Sequence, residues 1–481
     1  MSVLLGFYLG HDSSVAISVD GLVRYRKAER HFGLKHHKAD FGFVISTLND
    51  WGFTLGDIDF CAYTDGNRNN LGVCGGQELF CQGKLEGVKS FCVDHHYAHI
   101  LSGWPVIDTE ALQFGICIDG RGDHKKSTTV VKNPSSNPEV VYEESGLKMG
   151  WEFYQLGKLL GFKGLEYDFA GKLMGLQSYS DSELVQFGLK SINDLDTSNL
   201  ISTIEGGRYK SFSEWHDHWF CRTKRIFESF FKKEDFISYS GGCAQNTVYN
   251  YKLLNIFPNL FIPPHCYDGG LSLGCIEFMR LYLGHDKFSR EGFPYWQDDQ
   301  IKEEPGRETI KKAAKMLAEG KIIGWAQGRG ELGPRSLGNR SILMNALKAE
   351  NKDILNKKIK KREPWRPYAG SVLSNRSSDY FNLKESKYML YACQVLNKNI
   401  PAITHVDGSC RMQTVSEQDN PVFHSLLNEY FFITGVPVLL NTSLNIMGSP
   451  IASRESQIFD LSRSNLDAVF MGDKIYRNKI F

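Results

Sequence analysis

The sequence predicts a two-part α/β protein, with a duplicated N-terminal domain over residues 1–295 and a mixed α/β domain over 306–481. Three observations carry that reading. The first segment, VLLGFYLGHDSSVAISVDGLVRYRKAER, alternates strand, turn, strand, turn, strand. The pattern returns about a hundred residues later in LQFGICIDGRGDHKKSTTVVK, and such an echo implies two related halves. Between Gly284 and Arg307 periodicity lapses into polar and turn residues, as at a domain boundary.

Taken in order, Val3 to Leu9 is apolar enough for a buried strand, and Gly10-His11-Asp12-Ser13-Ser14 is a tight polar turn. Val15 to Val19 returns, followed by a hairpin turn at Asp20-Gly21. Next comes FCVDHHYAHILSG, in which DHHYAH holds three histidines. If that stretch opens a helix, His95 and His99 share one face about a turn apart, and His96 points elsewhere. A pair so placed serves either as half-buried structure or as two ligands of a divalent metal.

Leu112 to Ile118 then runs as a strand into Asp119-Gly120-Arg121-Gly122-Asp123, with Ser127 to Val131 as its return. A glycine-containing turn of this kind brings backbone N–H groups near phosphate, and its aspartate can hold a metal. FISYSGGCAQNTVYNYKLL reads as strand, glycine turn and helix. Gly241 and Gly242 let backbone approach a ligand, and the helix start favours an anion. Asn246 and Asn250 are expected one turn apart on that helix. In LFIPPHCYDGGLSLGCIEFMRLYL, Asp268 stands at a strand-to-helix edge and is the candidate third metal ligand.

The second domain opens with an amphipathic helix over Glu308 to Glu319 and a strand over Lys321 to Ala326. GRGELGPRSLGNRSIL sets Arg329, Arg335 and Arg340 among glycines, which suits phosphate or carboxylate recognition. In KAENKDILNKKIKKREPWRP most lysines read as a solvated helix face, but Lys360, Arg362 and Arg366 precede a strand. Arg411 in GSCRMQTV and Asn441, Ser443 and Asn445 in VPVLLNTSLNIMGSP are expected at the edges of apolar strands. Together they predict a polyanion site for a nucleotide or an acyl phosphate.

Lys plus Arg (56) nearly cancels Asp plus Glu (55), leaving +1, so no global basic field points to nucleic acid. No stretch approaches the roughly 18 apolar residues of a membrane span, and MSVLLGFYLG runs straight into a strand pattern. The eleven cysteines are scattered and never spaced CxxC, which fits reduced thiols. The expectation is a soluble cytoplasmic protein with no nucleic-acid or membrane partner and a homodimer as its candidate assembly.

GHDSS, DHHYAH, the IDG turn, GKLMGL, SGGCAQN, PPHCYDGGLSLG, GRGELGPRSLGNRSIL, KKREPWRPYAGSVL and NTSLN follow in that order over nearly the whole chain. They resemble the O-carbamoyltransferases of nodulation factors and of antibiotics such as cephalosporins and tobramycin. The resemblance implies an N-terminal unit of the actin, sugar-kinase and chaperone-ATPase (RNase H-like) superfold, similar to the metal-dependent half of the tRNA threonylcarbamoyl-adenosine system. It implies a C-terminal adenylate-forming unit similar to the threonylcarbamoyl-adenylate synthase fold.

The activity implied by the resemblance begins in the C-terminal domain, where carbamoyl phosphate and ATP, bound with Mg, give carbamoyl-adenylate and pyrophosphate. The N-terminal domain then passes the carbamoyl group to a hydroxyl of a small-molecule natural product. By motif, Lys360, Arg366, Arg411, Asn441 and Ser443 hold the adenylate, with Lys360 and Arg366 as catalytic groups, and Arg335 contacts phosphate. His95, His99 and Asp268 match metal ligands, with Asp119 beside the metal or the leaving phosphate. Asp12, Gly241, Gly242 and Asn246 are the expected phosphate contacts of the N-terminal domain. The family implies iron, where the donors alone admit zinc or manganese equally. His11 is the candidate base for the acceptor's proton. Acceptor recognition is expected between Lys125 and Gly171 and near Lys35-His36-His37.

Two other enzyme classes share parts of this pattern. A sugar-kinase-like phosphotransferase would release ADP and leaves the C-terminal arginines unexplained. A tRNA threonylcarbamoyl-type enzyme shares both half-folds, but near-zero net charge counts against a tRNA substrate.

Overall fold

The strands of the first unit form where the sequence alternates or runs apolar. The computed structural model describes residues 2–64, 78–120, 122, 125–198, 200 and 209–477; Arg121 and Asp123 of the second predicted turn lie outside the described residues. The chain divides into two units, Met1–Phe32 with His36–Phe293, and Gly33–Lys35 with Pro294–Phe481.

In the first unit β1 (Val3–Tyr8), β2 (Ser14–Val19) and β3 (Leu22–Lys27) make an antiparallel meander. β4 (Phe60–Thr64) pairs in parallel with β1, β6 (Val88–Val93) in parallel with β4, and β5 (Phe80–Leu85) closes the edge. The order is β3-β2-β1-β4-β6-β5. A second sheet repeats the connection. β7 (Phe114–Ile118), β8 (Thr128–Lys132) and β9 (Glu139–Glu144) form the meander, and β10 (Ile237–Ser240) and β11 (Leu260–Phe261) add in parallel. Its order is β11-β10-β7-β8-β9.

Two buried helices link the sheets. His95–Leu101 packs on β7, β8 and β10, and Leu271–Leu283 packs on β1, β2 and β4. The first starts at Asp94, whose carboxylate accepts the Tyr97 N–H at 3.0 Å, an N-cap. The second ends at Gly284, held at φ 67. The helices cross at Gly274, where a Cβ would lie 1.9 Å from the Ala98 carbonyl oxygen. Only glycine permits that approach, and the crossing brings the turn before Leu271 beside the face carrying His95 and His99.

The second unit holds β12 (Ile323–Ala326), β13 (Arg340–Asn345), β14 (Ala369–Leu373), β15 (Ala392–Gln394), β16 (Ser409–Val415), β17 (Val438–Ser443), β18 (Ala468–Met471) and β19 (Lys474–Arg477). They form one sheet in the order β15-β16-β14-β17-β13-β12-β18-β19. The helix Arg307–Ala318 buries Ile310, Ala313, Ala314 and Leu317 against it, a stripe at helical spacing. Pro421–Thr434 packs beside it through Phe423, Leu427 and Tyr430. The strand expected from Lys321 starts at Ile323, and the expected helix is displaced by one residue. No helix among the described residues is long and apolar enough to cross a membrane.

Candidate active site

The three expected metal ligands and Asp119 meet in the first unit. His95 and His99 lie on one face of their helix, Asp119 follows β7, and Asp268 opens the turn before Leu271. One donor atom of each lies within 4.8 Å of all the others. His95 Nε2 is 3.3 Å from Asp119 Oδ2 and 3.7 Å from Asp268 Oδ1. His99 Nε2 is 3.5 Å and 3.3 Å from the same two oxygens. His95, His99 and Asp268 are buried, and the Asp119 side chain is 13% exposed.

The remaining carboxylate oxygens are held from behind. The Tyr8 hydroxyl donates to Asp268 Oδ2 at 2.8 Å, and the Gly120 and Gly242 amides donate to Asp119 Oδ1 at 2.7 and 3.1 Å. One oxygen of each carboxylate is thereby turned toward the imidazoles, as outer partners orient metal ligands. Burial opposes both negative charges. The imidazoles of His95 and His99 nevertheless hold Asp119 well below the usual carboxylate range, and His11 with His95 lowers Asp268. His99 Nε2 is buried without a hydrogen-bond partner. Two imidazole nitrogens and two ionised carboxylate oxygens suit a divalent first-row metal.

The glycine turn does a different job from the expected phosphate contact. Gly242 spends its amide on Asp119, and a Cβ there would lie 2.8 Å from Asp119 Oδ1. The Gly241 amide, at φ 94, donates to the Cys266 carbonyl at 2.7 Å. Asn246 lies before the helix rather than on it. It caps Thr247–Leu254 by accepting the Val248 and Tyr249 amides, each at 3.2 Å, and its Nδ2 meets His216 Nε2 at 3.3 Å.

Asp12 also departs from the phosphate role. It sits at φ 63, a strained setting for a non-glycine residue. Its carboxylate lies 2.9 Å from Lys27 Nζ, 2.9 Å from His36 Nδ1 and 3.2 Å from His11 Nδ1. A buried carboxylate so engaged repels phosphate and orders cations instead. His11 Nε2 is 3.4 Å from Asp268 Oδ2, and its side chain is 32% exposed, so it is the accessible imidazole beside the cluster. Asp12, Glu29 and His36 also converge, but Lys27 Nζ, 2.8 Å from Glu29 Oε1, already occupies the cation's place between the two carboxylates.

Sequence reasoning missed Tyr8, Lys27, Glu29 and Tyr267, whose hydroxyl accepts from Lys27 at 2.5 Å. One signal was available. Strand alternation puts Lys27 on the same face as the buried Tyr25, and a lysine on a core face requires a counter-charge.

His36 yields a pH prediction. Burial lowers its basicity, but the carboxylates of Asp12 and Asp168 raise it to about 9. A folded value above the unfolded one stabilises fully below the unfolded pKa of about 6.5 and is lost as pH rises through about 9. His36→Gln is therefore expected to lower Tm most at about pH 6 and to converge with the wild type above about pH 10. Thermal melts across that range check it; an equal deficit at every pH would assign the loss to packing.

In the second unit Lys360 ends the helical turn Asn356–Lys360. Its Nζ donates to Asn445 Oδ1 at 2.7 Å, the Asn445 carbonyl at 3.1 Å and Ser443 Oγ at 3.3 Å. Burial first, then Arg362, Arg366 and Lys35, hold it well below the ordinary lysine range. Arg362 stacks on Tyr368 at 4.3 Å, and burial brings it to about 10. Arg411, on β16, is pushed down by burial and by Arg335, Arg362 and Arg366. These residues form one cation cluster, with Glu363 3.8 Å from Arg366.

Two expectations here need correction. Asn441 lies inside a central strand, paired with Ala369 and Leu343. Its Nδ2 is engaged by Ser371 Oγ, the Ser336 carbonyl and Gln413 Oε1 at 2.9–3.3 Å. Ser443 does end that strand, beside Lys360. Of the loop arginines, Arg340 is structural, being buried and donating to the carbonyls of Gln327, Gly328, Asn339, Asp299 and Ser453. Glu331, buried and not foreseen, organises the same loop by accepting the Leu337, Asn339 and Arg340 amides at 2.8–3.1 Å.

A cluster of two histidines and two aspartates in one α/β unit and a cation cluster in another define a chain with two separately furnished centres. Residues 314–478 match the family model of the carbamoyltransferase C-terminus. The chain is 31% identical to nodulation protein NolNO of Sinorhizobium fredii, over 98% of this chain and 79% of that protein. It is 32% identical to the 3'-hydroxymethylcephem-O-carbamoyltransferase of Amycolatopsis lactamdurans, over 64% of this chain and 65% of that one. The chain belongs to the O-carbamoyltransferase family. Against nodulation protein NolO of Bradyrhizobium diazoefficiens the 37% identity spans 50% of this chain and 49% of the relative. Among solved structures, component A of the Acidaminococcus fermentans (R)-2-hydroxyglutaryl-CoA dehydratase aligns over 58% of this chain and 97% of its own, at 15% identity and TM-score 0.36.

Proposed function

We propose that the chain is an ATP-dependent O-carbamoyltransferase acting on a hydroxyl of a small molecule. The observation that carries this is the cluster of Lys360, Arg335, Arg362, Arg366 and Arg411, whose mutual repulsion a polyanion relieves. Relatives named as carbamoyltransferases support it. So does the repeated sheet connection, which we read as the actin, sugar-kinase and chaperone-ATPase superfold, with the second unit similar to threonylcarbamoyl-adenylate synthases.

In the second unit carbamoyl phosphate gives up inorganic phosphate to water. The carbamate oxygen then attacks the α-phosphorus of ATP, bound with Mg, and pyrophosphate leaves. Lys360 and the arginines stabilise charge on the phosphoryl oxygens. In the first unit the acceptor's hydroxyl oxygen bonds to the carbamoyl carbon, the bond from that carbon to the adenylate oxygen breaks, and AMP departs with the electron pair. His11 takes the hydroxyl proton at the nitrogen not turned to Asp12. Asp12 holds the ring through Nδ1–H, which leaves the lone pair on Nε2, and Asp268, 3.4 Å from Nε2, stabilises the imidazolium once the proton is taken. His95, His99, Asp119 and Asp268 would hold a metal that would supply Lewis acidity there, with iron favoured by the family and zinc or manganese fitting the same donors.

Purified protein with ATP and carbamoyl phosphate, without acceptor, is expected to release pyrophosphate only when both are present. ADP would favour a phosphotransferase, and an absence of pyrophosphate would sink the adenylate step.

A further inference from the structure

The rim of the first unit's site carries an aromatic ring that the proposed reaction leaves unused. The turn Glu166–Asp168 sets Tyr167 against both outer imidazoles. Its ring centroid is 4.6 Å from that of His11 at an interplanar angle of 32°, and 5.2 Å from that of His36 at 45°. Yet 55% of the residue is exposed. One face of the phenol rests on the histidines, and apolar area remains uncovered next to the accessible His11.

The surroundings fix the ring in place. Glu166 accepts from the Tyr154 hydroxyl at 2.9 Å and pairs with Lys158 at 3.3 Å, and the helix Phe169–Leu176 begins directly after Asp168. Asp168 Oδ1 lies 3.6 Å from His36 Nε2 with 28% of its side chain exposed. It therefore offers a carboxylate oxygen at the edge of the same surface. An aromatic face with a hydrogen-bond acceptor at its margin, next to a candidate base, has the makings of a binding platform for a rigid molecule.

We propose that Tyr167 is the platform on which the acceptor stacks, and that the acceptor alcohol is carried on a rigid ring. This rests on the carbamoyltransferase reading. The ring's C–H face covers the phenol, a second donor group of the acceptor reaches Asp168, and the reacting hydroxyl is directed at His11. An open-chain alcohol offers the same hydroxyl without a flat face to bury, and it loses more rotor freedom on binding.

The test uses the full chain with two probes of matched polarity. One is scyllo-inositol, whose equatorial hydroxyls leave both ring faces as C–H; the other is mannitol, its open-chain counterpart. Ligand-observed NMR is expected to show saturation transfer to the ring protons of scyllo-inositol in the wild type and in Tyr167→Phe. Tyr167→Ala should bind about tenfold more weakly, the size of one aromatic contact, and mannitol should give no comparable signal. Equal binding by Tyr167→Ala overturns the proposal, as does equal binding of mannitol, or no binding of scyllo-inositol by the wild type. Because this readout needs no turnover, a failure of pyrophosphate release would strike the proposed reaction and leave the platform to be judged by binding.

Discussion

Substituting His95 by alanine is expected to strip bound metal and to reduce carbamoyl transfer by more than about 100-fold while pyrophosphate release continues. Loss of an outer partner alone costs about 10–100-fold in metal affinity or activity, and in the proposed site His95 is a direct donor. The variant would leave Asp119 Oδ2 and Asp268 Oδ1, now 3.3 and 3.7 Å from His95 Nε2, facing His99 alone. With one imidazole gone, less opposes the burial that pushes both carboxyls toward their neutral forms. The donor set then loses a nitrogen and part of its charge together. Metal analysis of the purified variant and a paired assay of transfer and pyrophosphate check this. Parallel loss of pyrophosphate release would refute a division of labour between the two units.

The convergence of His95, His99, Asp119 and Asp268 was legible because its signals are local. Four-residue spacing puts His95 and His99 on one helix face, and acidic turns at strand ends expose Asp119 and Asp268. What the nearby glycines bond to was not legible. A backbone amide has no letter of its own, and whether Gly242 meets a phosphate or Asp119 depends on how β7 and β10 come together. Asn246 was misplaced for a similar reason, since capping and lining a helix differ by one residue of boundary. In GRGELGPRSLGNRSIL, Arg335 and Arg340 look alike as letters. Only packing shows that one senses the charge of Arg411 while the other is consumed by five carbonyls. The assignment of Gly33–Lys35 to the second unit has no signature in composition at all. The two segments where acceptor recognition is expected, Lys125 to Gly171 and the neighbourhood of Lys35-His36-His37, meet at Tyr167, Asp168 and His36.

Arg411→Ala should cost at least about 100-fold in pyrophosphate release, the scale of one preorganised charge-stabilising donor, with bound metal unchanged. It should also leave Tm unchanged or higher. Arg411 is half-buried on β16, its Nε has no hydrogen-bond partner, and burial together with Arg335, Arg362 and Arg366 depresses its basicity. For a base whose folded pKa lies below its unfolded value, the unfolded chain holds the proton more tightly. The charge therefore works against folding at every pH where the unfolded arginine is protonated, which includes neutral pH. Removing it relieves Arg335, Arg362 and Arg366, and the fold gains what the site loses. An anionic ligand offers the opposite relief. Mg-ATP at about a hundred times its Kd should stabilise the wild type by about 2.7 kcal/mol, and Arg411→Ala by much less at the same concentration. Full pyrophosphate release in the variant would show that the cation cluster is not the adenylate site. A lowered Tm without nucleotide would instead show that Arg411 supports the sheet, and that the cluster's strain is not what a polyanion relieves.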